Sequence, residues 1–227
     1  MSWAPRTAAG CRKSPTGPTY RPQIPTNWVS GVSNPNFRLI PGTKTEFSLQ
    51  TPEGLETITV DVLAGTTLVN GVAAVTLHDR VFLAGSLIED TIDWYAQDGA
   101  GNVWYLGEDA KEYKNGQVVG TGGTWKWGVN GGLPGIIMWG DPAAHIGEEY
   151  RQEYAAGVAE DFAKVVALGQ SVTVPYRSFT GCVQTEEWNG LKPTDRDYKY
   201  YCAPAGFVLG VPVAGGPRLE LLRVTAP

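Results

Sequence analysis

The chain has 227 residues, with 29 glycines, 16 prolines and only 18% charged residues, a composition typical of many short strands joined by tight turns. The net charge is -5 and lysines and arginines form no cluster, which argues against a nucleic-acid partner. No apolar run approaches the roughly 18 residues of a transmembrane helix. We expect an all-β, mainly antiparallel protein, with residues 27–227 as a single domain.

The N-terminal segment differs in composition from the rest. Residues 12–26 are rich in proline, threonine and basic residues, so residues 1–26 are predicted to form a disordered tether. Cys11 follows small residues at 8–10, as at the end of a bacterial lipoprotein signal, although the usual apolar stretch before such a site is missing. A trimmed or reassigned start and a chance match both stay open. If the match is genuine, Cys11 would anchor the protein peripherally to a membrane.

Alternation and turn residues predict strands between residues 43 and 114. Residues 55–63 alternate between polar and apolar side chains, as in a half-buried strand. The dipeptides Asn70-Gly71 and Asn115-Gly116 each favour a two-residue hairpin turn.

A further hairpin is predicted around Ala100, in which Tyr95 lies opposite Tyr105. One face, expected in the core, carries Trp94, Ala96, Trp104 and Leu106. The other face carries Asp93, Tyr95, Gln97, Val103 and Tyr105. Polar groups beside aromatic rings are typical of a binding cavity or a wet surface.

Residues 120–142 are rich in glycine and tryptophan, and glycine and proline prevent a long regular element there. Because the segment is also apolar, it is predicted to be a long loop that either covers a ligand site as a lid or plugs an open end of the sheet. The predicted ligand-binding residues are Trp125, Trp127, Met138, Trp139, Tyr95 and Tyr105.

Residues 148–168 have two interpretations. Tyr150, Tyr154 and Phe162 would form a helical stripe, and alanine and glutamate favour a helix. Gly157 and the valines at 165–166 instead favour two strands joined by a tight turn.

The cysteines suggest a disulfide. If residues 181–188 and 196–202 form a hairpin centred on Lys192, Cys182 lies directly opposite Cys202. The alternative is two buried free thiols. A bond would close a loop of about 20 residues and indicate an oxidising compartment.

Several segments resemble a family of uncharacterised bacterial secreted or lipoprotein-like proteins. They are NPNFRLIPGT at 34–43, EDTIDWYAQD at 89–98, GNVWYLGED at 101–109, PGIIM at 134–138, YRQEYAAGVAED at 150–161 and YKYYCAPAG at 198–206. VTVPYRSF at 172–179 also resembles envelope half-barrels akin to lipoprotein carriers. The resemblance implies a curved antiparallel sheet or an open or closed β-barrel, an extracytoplasmic address, strands in 148–168, and no known activity. It also strengthens the pairing of Cys202 with Cys182, because the family has a small residue at position 202.

Catalytic chemistry has little support in the sequence. The chain has two histidines, His78 and His145, and no metal-ligand spacing, so neither a metal nor a cofactor is expected. The catalytic residues are unknown. Carboxylates that could form an acid–base pair are Glu89, Asp93, Glu108, Glu153 and Glu160. The alternative is that strand carboxylates face solvent or pair with basic residues.

Three functional hypotheses follow. The first is an exported envelope or secreted protein that binds an apolar or amphipathic small molecule in a barrel cavity beneath the 120–142 loop. The second is a hydrolase or cyclase that uses a carboxylate pair in that cavity. The third is a structural or adhesion module with exposed aromatic patches. The oligomeric state stays open.

Overall fold

The computed structural model describes residues 20–227 and is built almost entirely from antiparallel strands, as predicted. The first nine strands are β1 Trp28–Val29, β2 Lys44–Thr51, β3 Gly54–Val62, β4 Thr67–Val69, β5 Val72–Leu83, β6 Ser86–Asp98, β7 Val103–Lys114, β8 Gln117–Gly120 and β9 Trp125–Lys126. The remaining strands are β10 Leu133–Met138, β11 Glu149–Arg151, β12 Glu153–Tyr154, β13 Asp161–Thr173, β14 Ser178–Asn189, β15 Lys192–Cys202, β16 Gly206–Pro212 and β17 Leu219–Thr225. A short 3₁₀ turn covers Pro142–His145. Within these described residues, no helix has the length and apolar character needed to cross a membrane.

The sheet closes on itself into a nearly complete barrel. Strand β17 pairs with β2, so that Glu220 lies opposite Ser48 and the last strand joins the first long one. On the other side, the short strands β10, β11 and β12 bridge β7 to β13. Closure leaves few exposed edges and gives every long strand an inner and an outer face.

Two hairpins follow from their turn residues. Asn70 and Gly71 have φ values of 45° and 86°, and Asn115 and Gly116 have 54° and 74°. Asparagine and glycine tolerate this left-handed region, and the resulting turn matches the twist of the flanking strands. Both hairpins were predicted.

The hairpin around Ala100 has the predicted register, with Tyr95 opposite Tyr105. The face of Ala96 and Trp104 packs on the outside of the sheet, against β1, β4 and the 127–139 segment. The face of Tyr95 and Tyr105 points into the barrel, where both rings are fully buried rather than lining a wet surface. Within residues 20–227, side chains fill the barrel at this position, so the open cavity predicted from the face of Tyr95 and Tyr105 is absent here.

The 120–142 segment is more regular than predicted. Residues 133–138 form strand β10, which pairs with β7 and belongs to the barrel wall. A Cβ at Gly135 would lie 2.4 Å from the carbonyl oxygen of Arg151, so the glycine permits close strand approach rather than breaking the element.

Residues 148–168 form strands, as the resemblance implied. The chain turns at 155–158, where Gly157 has a φ of 71°, and β13 then runs from Asp161 to Thr173.

The predicted disulfide joins Cys182 and Cys202, whose Cα atoms lie 4.3 Å apart. Val183 lies opposite Tyr201, which is the register of a hairpin centred on residue 192. The bond ties the end of β15 to β14 just before the 203–205 turn.

Cys11 and most of the predicted tether lie outside the described residues. Of the tether residues that are described, Tyr20 donates a hydrogen bond to the carbonyl oxygen of Pro134 at 2.9 Å. Its ring packs edge-on against Tyr154 at 5.8 Å.

Removing the disulfide should lower the free energy of unfolding by about 3 kcal/mol, because the bond constrains a long loop in the unfolded chain. The double variant Cys182→Ala/Cys202→Ala, in a Cys11→Ser background, would be compared by urea denaturation with Cys11→Ser alone. A difference below about 1 kcal/mol would contradict a stabilising role.

Candidate functional site

A hydrogen-bond network fixes the chain that enters one end of the barrel. The buried Asn34 side chain donates from Nδ2 to the carbonyl oxygens of Gly101 at 2.8 Å and Trp139 at 3.0 Å. The Gln97 side-chain oxygen accepts from the backbone nitrogens of Ser33 and Asn34 at 2.7 and 2.8 Å. These bonds tie the segment to the β6–β7 turn and to the end of β10.

Phe37 follows this anchor and inserts into the barrel. Its ring centroid lies 5.2 Å from that of Tyr95 and 6.3 Å from that of Tyr201. Burial of Phe37 leaves the next residues, Arg38 and Leu39, at the rim of the barrel end.

A cleft of about 250 Å³ opens at this end, where the β13–β14 and β15–β16 turns lie. Inward-facing side chains of β2, β3 and β5 form its floor, and the 37–43 segment forms one wall. Its apolar lining includes Leu39, Phe47, Val60, Val62, Ala205 and Phe207. The charged side chains in the lining are Arg38 and Arg177, and no aspartate or glutamate lines it.

The two arginines reach the rim from different elements. Arg38 precedes β2, and Arg177 lies in the β13–β14 turn, with its guanidinium 4.6 Å from the ring centroid of Phe179 and 5.4 Å from that of Tyr176. Both are exposed, and neither forms an ion pair within residues 20–227.

Deeper in the barrel the open space narrows to about 20 Å³, close to the size of a single water molecule. This small cavity is lined by both apolar and charged groups, among them Asp79, Glu187 and Lys199. The barrel is therefore packed at its centre and open at the cleft.

Three of the predicted ligand-binding residues form part of the packed interior. Tyr95 and Tyr105 stack with ring centroids 4.8 Å apart, and Trp125 meets Tyr105 edge-on at 5.6 Å. The Trp125 indole nitrogen donates to Glu153 Oε2 at 2.5 Å. These three rings contact one another, and the polar groups of Tyr105 and Trp125 donate hydrogen bonds to the carboxylates of Asp93 and Glu153.

The remaining three predicted ligand-binding residues divide between the interior, where Met138 joins the same core cluster, and the outer face of the sheet. Met138 is fully buried. Trp127 packs against Trp28 at 6.1 Å, and Trp139 stacks on His145 at 3.8 Å. The predicted set is thus divided between the interior and the outer face of the sheet, and its role in binding stays a prediction.

A second depression, of about 340 Å³, lies beneath residues 124–130, where the sequence placed the ligand. Trp94, Trp125 and Glu108 contribute to its lining, and Ala156 borders it from the β12–β13 connection. Lys126 Nζ lies 4.4 Å from the Trp94 ring centroid, so the lysine side chain covers one face of that ring.

Three of the five candidate catalytic carboxylates converge. Asp93 and Glu108 are direct cross-strand partners and are 1% and 3% exposed. The Tyr105 hydroxyl donates to Asp93 Oδ1, and Glu153 joins through Trp125. Burial raises the pKa of Tyr105, and the neighbouring carboxylates of Asp93 and Glu108 raise it further.

Glu89 lies further along strand β6 from Asp93, and Glu160 lies in the β12–β13 connection. Glu89 is partly exposed and accepts a hydrogen bond from Thr91 at 3.2 Å. Glu160 accepts from the backbone nitrogen of Gly157 at 2.9 Å and lies 3.5 Å from Arg151 Nη2.

Asp79 joins the interior acid group and was not among the predicted catalytic residues. Burial raises its pKa well above the usual value, and the negative charges of Asp93, Glu89 and Glu108 add to this effect. Asp79 shares one face of β5 with the apolar residues Leu77 and Val81, and this two-residue spacing could have predicted that Asp79 is buried.

A buried ion pair was also missed. Lys199 Nζ lies 2.8 Å from Glu187 Oε2, and the hydroxyls of Thr185 and Tyr201 donate to Glu187 Oε1, each at 2.8 Å. Burial alone would raise the pKa of Glu187, but Lys199 and the two hydroxyls lower it below its usual value. The predicted hairpin register puts these four residues on one face, so the pattern could have been found.

Residues 20–227 contain no group of three or more histidine, cysteine or acidic side chains arranged to hold a metal ion.

These features define a disulfide-braced antiparallel barrel with a cleft at one end. No family model matches the chain, and no curated protein matches it. A candidate exported protein with a YmcC-like fold from Bacteroides fragilis matches with a TM-score of 0.50 and 13% identity, over 84% of this chain and 98% of that one. A candidate lipoprotein from Parabacteroides distasonis has a TM-score of 0.46 and 10% identity, over 85% and 99%. The likeness to the first shows a shared fold.

Asp79→Asn should stabilise the protein increasingly as pH rises. Because the folded-state pKa lies above the ordinary 3.8, the wild type loses stability as pH increases from about 4 towards that raised pKa. Asparagine has no proton to lose, so the two proteins should be similarly stable near pH 4 and the variant more stable at neutral pH. Urea midpoints across this range measure the effect.

The matched control is Asp109→Asn, at a side chain that is 46% exposed and pairs with Lys111. It should show no such rise. An Asp79→Asn effect that does not change with pH would show that the raised pKa is wrong.

Proposed function

We propose that this is an exported protein that binds an apolar or amphipathic small molecule in the cleft at the end of its barrel. The observation that carries the proposal is the apolar lining of a 250 Å³ concavity formed by inward-facing side chains and the 37–43 segment. Concave apolar surfaces with a few polar groups at the rim are typical of small-molecule sites. The site differs from the one predicted beneath the 120–142 loop.

Two observations support an extracytoplasmic address. The Cys182–Cys202 disulfide requires an oxidising environment to persist. The matching structures are described as a candidate exported protein and a candidate lipoprotein, which agrees with the signal-like residues before Cys11. Anchoring through Cys11 is part of this proposal.

A second candidate function is acid–base catalysis at the depression beneath residues 124–130. It is favoured by the direct pairing of Asp93 with Glu108 and by the position of Glu108 in the lining of that depression. An adhesion module has less support, because Tyr176, at 38%, is the only strongly exposed aromatic side chain in the described part of the chain.

Filling each concavity separately tests the proposal. The neutral probe N-phenyl-1-naphthylamine should fluoresce more strongly on binding to the wild type. Ala205→Trp places a large ring in the cleft and should weaken probe binding by about ten-fold or more, since it removes the apolar contact area. Ala156→Trp fills the other depression in the same way and should leave the affinity unchanged.

Circular dichroism would establish that both variants keep the barrel, and Val118→Trp on the exposed strand β8 controls for an added tryptophan. If Ala156→Trp abolishes probe binding and Ala205→Trp does not, the site lies beneath residues 124–130 and the proposal fails. No binding to the wild type would also overturn it.

A further inference from the structure

The charge at the cleft rim runs against the charge of the whole chain. The protein has 23 acidic and 18 basic side chains, yet the cleft lining contains two arginines and no acidic residue. Positively charged side chains beside an apolar floor favour ligands that carry a negative charge.

The pairing of the arginines is also uneven. Arginines at positions 80, 151, 196, 218 and 223 each pair with a carboxylate. Arg38 and Arg177 form no ion pair within residues 20–227. The remaining described arginine without one, Arg21, precedes β1 and does not line the cleft.

Arg177 is held in an orientation that suits an anion. Its guanidinium lies over the ring of Phe179, whose side chain is buried in the core. Stacking on an aromatic face leaves the N–H groups at the guanidinium edge available for a planar, bidentate interaction with a carboxylate or phosphate. The aromatic platform also reduces the side-chain entropy lost on binding.

Arg38 is positioned by the segment that precedes it. Asn34 is fixed by its hydrogen bonds and Phe37 is buried between Tyr95 and Tyr201, so the backbone at Arg38 is held at the rim. Arg38 and Arg177 thus reach the same cleft from the 37–43 segment and from the β13–β14 turn.

We propose that the ligand is an anionic amphiphile whose carboxylate or phosphate group binds Arg38 and Arg177 while its apolar part occupies the cleft. This rests on the proposed function and specifies the class of its ligand. A negative charge at the rim would pair with two cations that form no ion pair within residues 20–227, and the apolar floor would receive the hydrocarbon.

The experiment compares ligands of equal chain length with different headgroups. Dodecanol, dodecanoate and dodecyl phosphate would each displace bound N-phenyl-1-naphthylamine from the full-length protein. Wild type should bind at least one of the two anions more tightly than dodecanol, and which anion binds better distinguishes a carboxylate from a phosphate ligand. The preference should decrease as salt is added, because the rim is exposed.

Arg38→Gln and Arg177→Gln should each weaken binding of the preferred anion by about two- to five-fold, the range of an exposed ion pair, and the double variant by about ten-fold. Dodecanol and the neutral probe should bind all variants equally, which also shows that the cleft is intact. Arg196→Gln changes the net charge by the same amount near the β14–β15 turn, outside the cleft lining, and should have no effect.

Equal binding of the three ligands by the wild type would overturn the inference. So would an anion preference that survives in the double variant, or one that Arg196→Gln reduces equally. In each of these outcomes the neutral probe still binds in the cleft and the proposed function stands. Loss of neutral-probe binding by the wild type is the separate result that removes the proposed function itself.

Discussion

Strand β17 pairs with β2, and this pairing holds the whole sheet in its closed form. It joins the last strand to the first long strand and turns a meander into a barrel. Closure forces one side of every strand into a shared interior, and that interior is too narrow to stay empty. The floor of the cleft therefore forms only because β2, β3 and β5 are held opposite the β15–β16 turn.

The same constraint explains the polar chemistry of the interior. Alternation buries charged groups along with apolar ones, and the barrel handles them in two different ways. Glu187 pairs with Lys199 and accepts hydrogen bonds from two hydroxyls, and these interactions keep its carboxylate ionised. Asp79 lies near other acids in the buried interior, so the free energy of charging it rises and its protonation is favoured. One barrel thus holds two environments of opposite electrostatic character.

Local pairing could be predicted from the sequence because short-range signals set it. Asparagine–glycine turns determined two hairpins, and the spacing of Cys182 and Cys202 gave the register of β14 with β15. Residues 133–138 were assigned to a loop because Pro134 and Gly135 usually end strands, whereas here Gly135 lies directly against the backbone of residues 151–152 in the barrel wall. The cleft could not be predicted, since its lining comes from segments that only barrel closure brings together. Arg38 and Arg177 are 139 positions apart in the sequence and share no local pattern.

The disulfide lies beside the cleft, and its position has a consequence for how redox conditions affect ligand binding. Cys202 immediately precedes the turn that contributes Ala205 to the lining, so the covalent link braces that wall. If the wall loosens on reduction, thermodynamic linkage requires that an occupant which prefers the braced wall also makes the thiols harder to generate. Ligand occupancy and the redox state of the two cysteines would then depend on each other, and any ligand bound in the cleft would be held most tightly under oxidising conditions.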